Sequence, residues 1–291
     1  MKKILLVCVN YNSYRELNSF LDSIENAYRQ SDNLFLKVCI VDNSVEKKRI
    51  NIESYGFDCN ILLCDNIGYF GAFTTVLDKE DNIHLYDYVI LSNVDLVVDE
   101  NIFKTIPMYR DETVAWISPS IISKYEGRDK GIGLINRPSK TKLRLLSFIY
   151  KYPFIEYVIR NTVYRRKSLV KKKQSPHYIY SGHGSFIILT KSFFNNISIK
   201  SLHYPMFLFC EELFLGELIK FKKMRVVFDE RVKISDTEHV STSKMSSAFN
   251  CKCQRDSVNY ILKRFYGAPD KPCVGGGGRT DANPKLSLND T

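Results

Sequence analysis

The sequence predicts an α/β fold with a mostly parallel central sheet flanked by helices. Three observations carry that prediction. Four short apolar runs lie in the first third of the 291-residue chain, each is closed by a cluster of small polar residues, and an amphipathic helical pattern follows directly on the first. Runs that are apolar without alternation are strands covered on both faces, as parallel strands are. In such sheets ligands bind beyond the carboxyl ends of the strands, where these polar clusters would sit.

Residues 3–9 (KILLVCV) form the first strand and end in the turn Asn10-Tyr11-Asn12-Ser13. Residues 14–30 place Leu17, Phe20, Leu21, Ile24 and Ala27 at helical spacing. A second strand over 35–41 (FLKVCIV) closes on Asp42-Asn43-Ser44, a third over 60–64 on Asp65-Asn66, and a fourth over 88–91 on Ser92-Asn93-Val94-Asp95. Further strands are expected at 114–118, 185–190 and 225–228, with a helix within 207–221.

At 44% apolar composition the chain can bury one large core. Its eight cysteines are scattered, form no C-x-x-C pair and in several cases fall inside apolar runs, which reads as reduced, buried thiols of a cytosolic protein. A metal site on Cys251 and Cys253 would lack its second half. The N-terminal segment has the charge and apolar run of a signal peptide but no small-residue cleavage site, and reads as a first strand. No apolar stretch approaches the ~20 residues of a spanning helix, so a soluble or peripheral protein is expected. The net charge of +10 is local: 140–173 holds eleven basic residues against one acid, Glu156. That stretch, rich in Leu, Ile, Phe and Tyr, interrupts the strand–helix alternation as an insertion. Beyond residue 266 a glycine-rich composition reads as a flexible tail.

The strand-end clusters hold residue types that suit a nucleotide sugar. A pyrimidine ring and a ribose need amide and carboxylate oxygens, which Asp42 and Asn43 supply; a diphosphate needs a divalent cation, for which Asp95 supplies a ligand. The segment Asn66-Ile67-Gly68-Tyr69-Phe70-Gly71-Ala72 places two glycines three apart at a helix start, where backbone approaches closely and an anion is favoured. Its spacing is neither that of a dinucleotide-binding loop nor that of a P-loop.

Five segments occur in order: the Asn10-Tyr11-Asn12 turn, Val41-Asp42-Asn43-Ser44, the Asn66 glycine segment, Leu91-Ser92-Asn93-Val94-Asp95, and a late block. The block runs from Ser181-Gly182-His183-Gly184-Ser185 through Phe207-Leu208-Phe209-Cys210-Glu211-Glu212 to His239. Together, over roughly residues 3–245, they resemble the family 2 glycosyltransferases of the GT-A fold, particularly the rhamnosyltransferase-like enzymes of bacterial surface polysaccharides. The resemblance implies that Asn10, Tyr11, Asp42, Asn43, Asn66, Gly68, Gly71, Asn93 and Asp95 bind the donor. Asp42 would read the pyrimidine, and Asp95 would close the family's Asp-x-Asp motif on Mn2+ or Mg2+. It further implies Glu212 as catalytic base with Glu211 as the alternative, His239 beside the diphosphate and metal, and His183 and Gly184 on the acceptor side. The sequence departs from the family twice. Asn93 stands for the first aspartate, which removes one anionic oxygen, and Glu212 stands for the commoner aspartate.

The implied reaction is inverting transfer of a hexose or deoxyhexose from a UDP- or dTDP-sugar to a lipid-linked glycan acceptor of O-antigen or capsule biosynthesis. It would occur in the cytoplasm, at the inner face of the cell membrane. The implied organisation is a catalytic domain over 1–245 with a basic amphipathic insertion at about 140–173, a C-terminal helical extension over 246–266 and the tail 267–291. The insertion is expected to meet an anionic membrane surface rather than nucleic acid, although aromatics interleave its basic residues; a solvated basic face is the plain alternative. Two other functions stay open. A nucleotidyltransferase of similar fold would need a basic, glycine-rich phosphate loop that residues 8–15 lack, and a non-catalytic membrane- or carbohydrate-binding scaffold would dispense with Glu212 and Asp95.

Overall fold

The computed structural model describes residues 1–106, 111–125, 127–162, 177–237 and 246–267. The four apolar runs form β1 (Lys2–Asn10), β2 (Leu34–Asp42), β3 (Asp58–Leu63) and β4 (Tyr88–Asn93), paired in parallel in the order β3-β2-β1-β4. Strand alternation sends Ile4, Leu6 and Cys8 to one face, where Leu17, Phe20 and Ile24 of α1 (Tyr14–Arg29) cover them. Leu5 and Val7 point to the other face, against Phe70, Phe73 and Leu77 of α2 (Tyr69–Lys79). With helices on both faces, the polar strand ends converge at one edge of the sheet.

Beyond β4 the sheet is mixed. The strand β10 (Phe186–Thr190) runs antiparallel between β4 and β6 (Val114–Ser123), and β11 (Arg225–Asp236) runs parallel to β6. Two short strands, β5 (Leu96–Val98) and β8 (His177–Ile179), pair antiparallel with β11, while β7 (Ile132–Leu134) and β9 (Ser181–Gly182) form a separate antiparallel pair. Parallel pairing therefore predominates only in the N-terminal half. Every residue of β10 is buried, so its apolar run reads like a covered parallel strand and carries no sign of direction.

The remaining helices are α3 (Ile102–Thr105), α4 (Lys140–Tyr150), α5 (Pro153–Thr162), α6 (Lys191–Asn196), α7 (Glu211–Phe221) and α8 (Ser247–Phe265). Hydroxyl caps start three of them: Ser139 accepts from the Lys142 N–H, Thr190 from that of Phe193 and Ser246 from that of Phe249. The described part of the basic insertion is thus a helical hairpin, α4 and α5, seated on α8, with the Ser147 hydroxyl donating to Asn259 Oδ1 at 2.6 Å. Arg137 makes a two-pronged ion pair with the buried Glu217 (2.7 and 3.0 Å) and lies over the Tyr266 ring, which ties α7 to the end of α8. Residues 163–173 of the insertion, His239 and residues 268–291 of the tail lie outside the described residues. The seven described cysteines are free thiols, with Cys8, Cys39 and Cys251 buried. Among the described residues no helix is long and apolar enough to cross a membrane.

Candidate active site

Parallel register sets Asn10 opposite Asp42 and Val9 opposite Asn93, so three of the sequence-singled polar residues meet at adjoining strand ends. Asn10 and Asp42 are wholly buried. The Asp42 carboxylate is the hub of the turn: Oδ1 accepts from Asn10 Nδ2 (3.0 Å), the Ser44 N–H (3.1 Å) and the Ser44 hydroxyl (2.6 Å), and Oδ2 from the Tyr14 hydroxyl (2.8 Å). A direct contact with a base would share or displace one of these bonds. Asn10 Oδ1 accepts from the Ser13 N–H and so opens α1, with half-buried Tyr11 in the intervening turn. Lys47 clasps the ends of β2 and β3, donating to the carbonyls of Asp42 and Cys64 at 2.7 Å each. Tyr14 and Lys47 carried no role in the sequence reading. Ser44 was visible there only as the residue closing its cluster.

Asn43 links this turn to the glycine segment through Nδ2, which donates to the Gly68 carbonyl at 3.1 Å. Because a carbonyl only accepts, the amide orientation is set, and the buried Oδ1 has no hydrogen-bond partner among the described residues. Asn66 is exposed and its Oδ1 accepts from the Gly68 N–H. Gly68 has φ +80°, and a Cβ there would stand 2.1 Å from the Phe207 carbonyl oxygen. A Cβ at Gly71 would meet only the Ile67 side chain, at 3.7 Å or more. Gly68→Ala is therefore expected to destabilise the fold by about 2–4 kcal/mol, whereas Gly71→Ala, inside α2, should be neutral or mildly stabilising. Thermal unfolding of the two variants checks this, and equal melting temperatures would contradict it.

Asn93 donates its N–H to the Ser185 carbonyl (2.9 Å), which joins the fourth strand end to the 183–185 loop. Two residues on, Asp95 is half-buried. Burial first, and then the neighbouring charge of Asp236, push its carboxyl up to about 6. Its backbone carbonyl accepts from both the N–H and the hydroxyl of Thr237 (3.2 and 2.9 Å). Among the described residues no three His, Cys, Asp or Glu side chains gather into a metal cluster. A single carboxylate with elevated proton affinity still fits a cation shared with a diphosphate, because such ions take one or two carboxylates and complete their shell from phosphate oxygens and water.

Glu211 and Glu212 open α7 behind two consecutive left-handed residues, Phe209 (φ 72°) and Cys210 (φ 63°). That turn is held by the Tyr204 hydroxyl on the Phe209 carbonyl and the Ser257 hydroxyl on the Leu208 carbonyl, both at 2.7 Å. Burial, then the adjacent Glu212, raise the Glu211 carboxyl to about 8, and burial raises that of Glu212 too. Among the described residues neither carboxyl forms an ion pair with a cation.

The side chain that joins these parts is Tyr69, the first residue of α2. Its hydroxyl donates to the Gly184 carbonyl at 3.0 Å, and it lies close enough to Glu211 and Asp95 that burial and then those two acids raise its pKa. A Cβ on Gly184 would be 3.6 Å from Glu212 Oε2, so the acceptor-side loop and the Glu212 carboxylate adjoin. His183 Nδ1 contacts the Ser185 hydroxyl (2.9 Å) and accepts from the Ser185 N–H (3.3 Å), which leaves the proton of the neutral ring on Nε2. The described parts of the five sequence segments thus adjoin one another through Asn43, Gly68, Tyr69 and Gly184. Tyr69 was missed because only its neighbouring glycines carry a sequence signal. A cleft of about 400 Å³ lined by Ser23, Arg29, Val98 and Glu100 shares no residue with the cluster.

No model of a known protein family and no curated protein matches the sequence. Solved structures do match. GalNAc-T7, crystallised with UDP, GalNAc and Mn2+, is similar over 90% of this chain at 12% identity with a TM-score of 0.59. A fragment of S. aureus TarS in complex with UDP-GlcNAc is similar over 91% at 11% identity with a TM-score of 0.55. This chain spans 48% of the GalNAc-T7 chain and 67% of the TarS fragment. At these identities the likeness is one of fold, and the fold of this protein is the GT-A fold.

Proposed function

We propose that the protein is an inverting glycosyltransferase acting on a nucleotide sugar. The observation that carries the reading is the convergence of the donor-type strand ends, Asp95 and the buried Glu211–Glu212 pair around Tyr69 and Gly184. The fold shared with proteins crystallised with UDP or UDP-GlcNAc supports it.

In this reading Glu212 takes the proton of an acceptor hydroxyl as that oxygen attacks the anomeric carbon, and the nucleoside diphosphate leaves from the opposite face of the sugar. Inversion follows from the single displacement. Burial raises both carboxyls, and Glu212 is assigned the base because its Oε2 adjoins Gly184 on the acceptor side. Asp95 would hold Mn2+ or Mg2+, which when bound neutralises developing charge on the diphosphate. Asn10, Asp42 and Asn43 shape the nucleoside end, Gly68 and Gly71 open α2 beside it, and His183 and Gly184 border the acceptor hydroxyl. The donor is a UDP- or dTDP-linked hexose or deoxyhexose, and the acceptor a lipid-linked glycan of a surface polysaccharide. The reading is tested by titrating UDP and dTDP into the purified protein with Mn2+ or Mg2+. Saturable, metal-dependent binding is expected; failure to bind any nucleoside diphosphate would sink it.

A further inference from the structure

We infer that the α4–α5 hairpin is a docking face for an anionic lipid bilayer. The inference stands on the two helices and is independent of the glycosyl-transfer reading. None of the described side chains of α5 is buried, and Phe154 (77% exposed), Tyr157 (56%) and Val158 line up at i, i+3, i+4 along its outer side. On α4 the buried Leu143 faces the protein, while Leu145 (58%) and Phe148 (55%) face out, with the Phe148 ring 5.4 Å from that of exposed Tyr152. These side chains make an apolar strip across two successive helices. A helix with no buried side chain among those described, and with so exposed an apolar strip, offers that strip to a further surface.

Charge selects the occupant. Lys140, Lys142, Arg144, Lys151 and Arg160 are exposed on these helices against one acid, Glu156, which Arg160 pairs at 3.5 Å. Exposed cations flanking an apolar strip complement anionic headgroups, whereas two copies of the face would repel one another. Leu145 and Val158 within the strip suit acyl chains. Position supports the same occupant. Glu156 and Arg160 of α5 lie near Cys251 of α8, and two residues earlier Phe249 packs on Phe207, whose carbonyl abuts Gly68. The hairpin is thereby connected through α8 to the turn that abuts Gly68.

The test is co-sedimentation of the full chain with phosphatidylcholine vesicles, with and without phosphatidylglycerol. Binding is expected only to the anionic vesicles and should weaken as salt rises. The variants Arg144→Gln and Lys151→Gln should each lower partitioning about fivefold. The triple variant Phe154→Ser, Tyr157→Ser, Val158→Ser should lower it at least about tenfold while the protein stays folded, since none of the three side chains belongs to the buried core. Equal binding to neutral vesicles, no vesicle binding, or an unaltered triple variant would overturn the inference. So would a dimer that the triple variant dissolves without lipid, or oligonucleotide binding that the triple variant abolishes. UDP binding by the same preparations separates this result from the glycosyl-transfer reading: either can fail alone.

Discussion

Glu212→Gln is expected to keep nucleoside diphosphate binding while lowering sugar transfer by about 10²–10⁴-fold, the contribution of a positioned general base. The amide fills the same space beside Gly184, so the turn held by Tyr204 and Ser257 should persist; what is lost is the acceptor for the hydroxyl proton. Transfer at the wild-type rate would remove Glu212 from the mechanism and move the role to Glu211. The pair also sets the pH profile. Both carboxyls are raised by burial, and the base acts only when ionised, so kcat/KM should climb with pH through an apparent value above the ordinary carboxylate range. Because burial is what raises the Glu212 carboxyl, Glu211→Gln should leave that limb in place. Its effect on stability has a definite sign. The folded state holds the Glu211 proton more tightly than the unfolded one, so this contribution is present below pH 4.5 and lost as pH rises through about 8. Glu211→Gln should therefore gain on the wild type in melting temperature as pH is raised.

Asp95→Ala is expected to abolish the metal dependence of nucleotide binding and to lower transfer by at least about 100-fold, in line with the several kcal/mol a cation supplies to a departing diphosphate. Titrations of UDP with and without Mn2+ read the first effect directly. If the variant still shows the wild-type response to Mn2+, the cation is held elsewhere. Because the Asp95 carboxyl is pushed up to about 6, protons compete with the cation, and metal-dependent binding by the wild type should weaken as pH falls through about 6.

The polar strand ends were legible in the sequence because a covered apolar strand that stops at Asn10, Asp42 or Asn93 announces where it ends. The helix that Gly68 opens was legible for a similar reason: glycine marks a backbone that no other residue can follow. Tyr69 and Tyr14 were not, since their roles depend on partners 115 and 28 residues away, Gly184 and Asp42. The left-handed Phe209 and Cys210 were hidden because neither residue type favours that conformation, and tertiary hydrogen bonds from Tyr204 and Ser257 hold it. Strand direction was unreadable in β10, where complete burial erases the alternation that would distinguish its setting. The basic insertion showed its charge in sequence, but the outward apolar strip emerged only once α4 was seen seated on α8.

Nucleoside diphosphate release from a panel of nucleotide sugars, measured with Mn2+ and a glycan acceptor, tests the central claim most directly. The account predicts release of UDP or dTDP from at least one sugar donor, dependent on acceptor and lowered at least about 100-fold in Glu212→Gln. Absence of release from every donor, or pyrophosphate formation from a nucleoside triphosphate and a sugar phosphate instead, would contradict it.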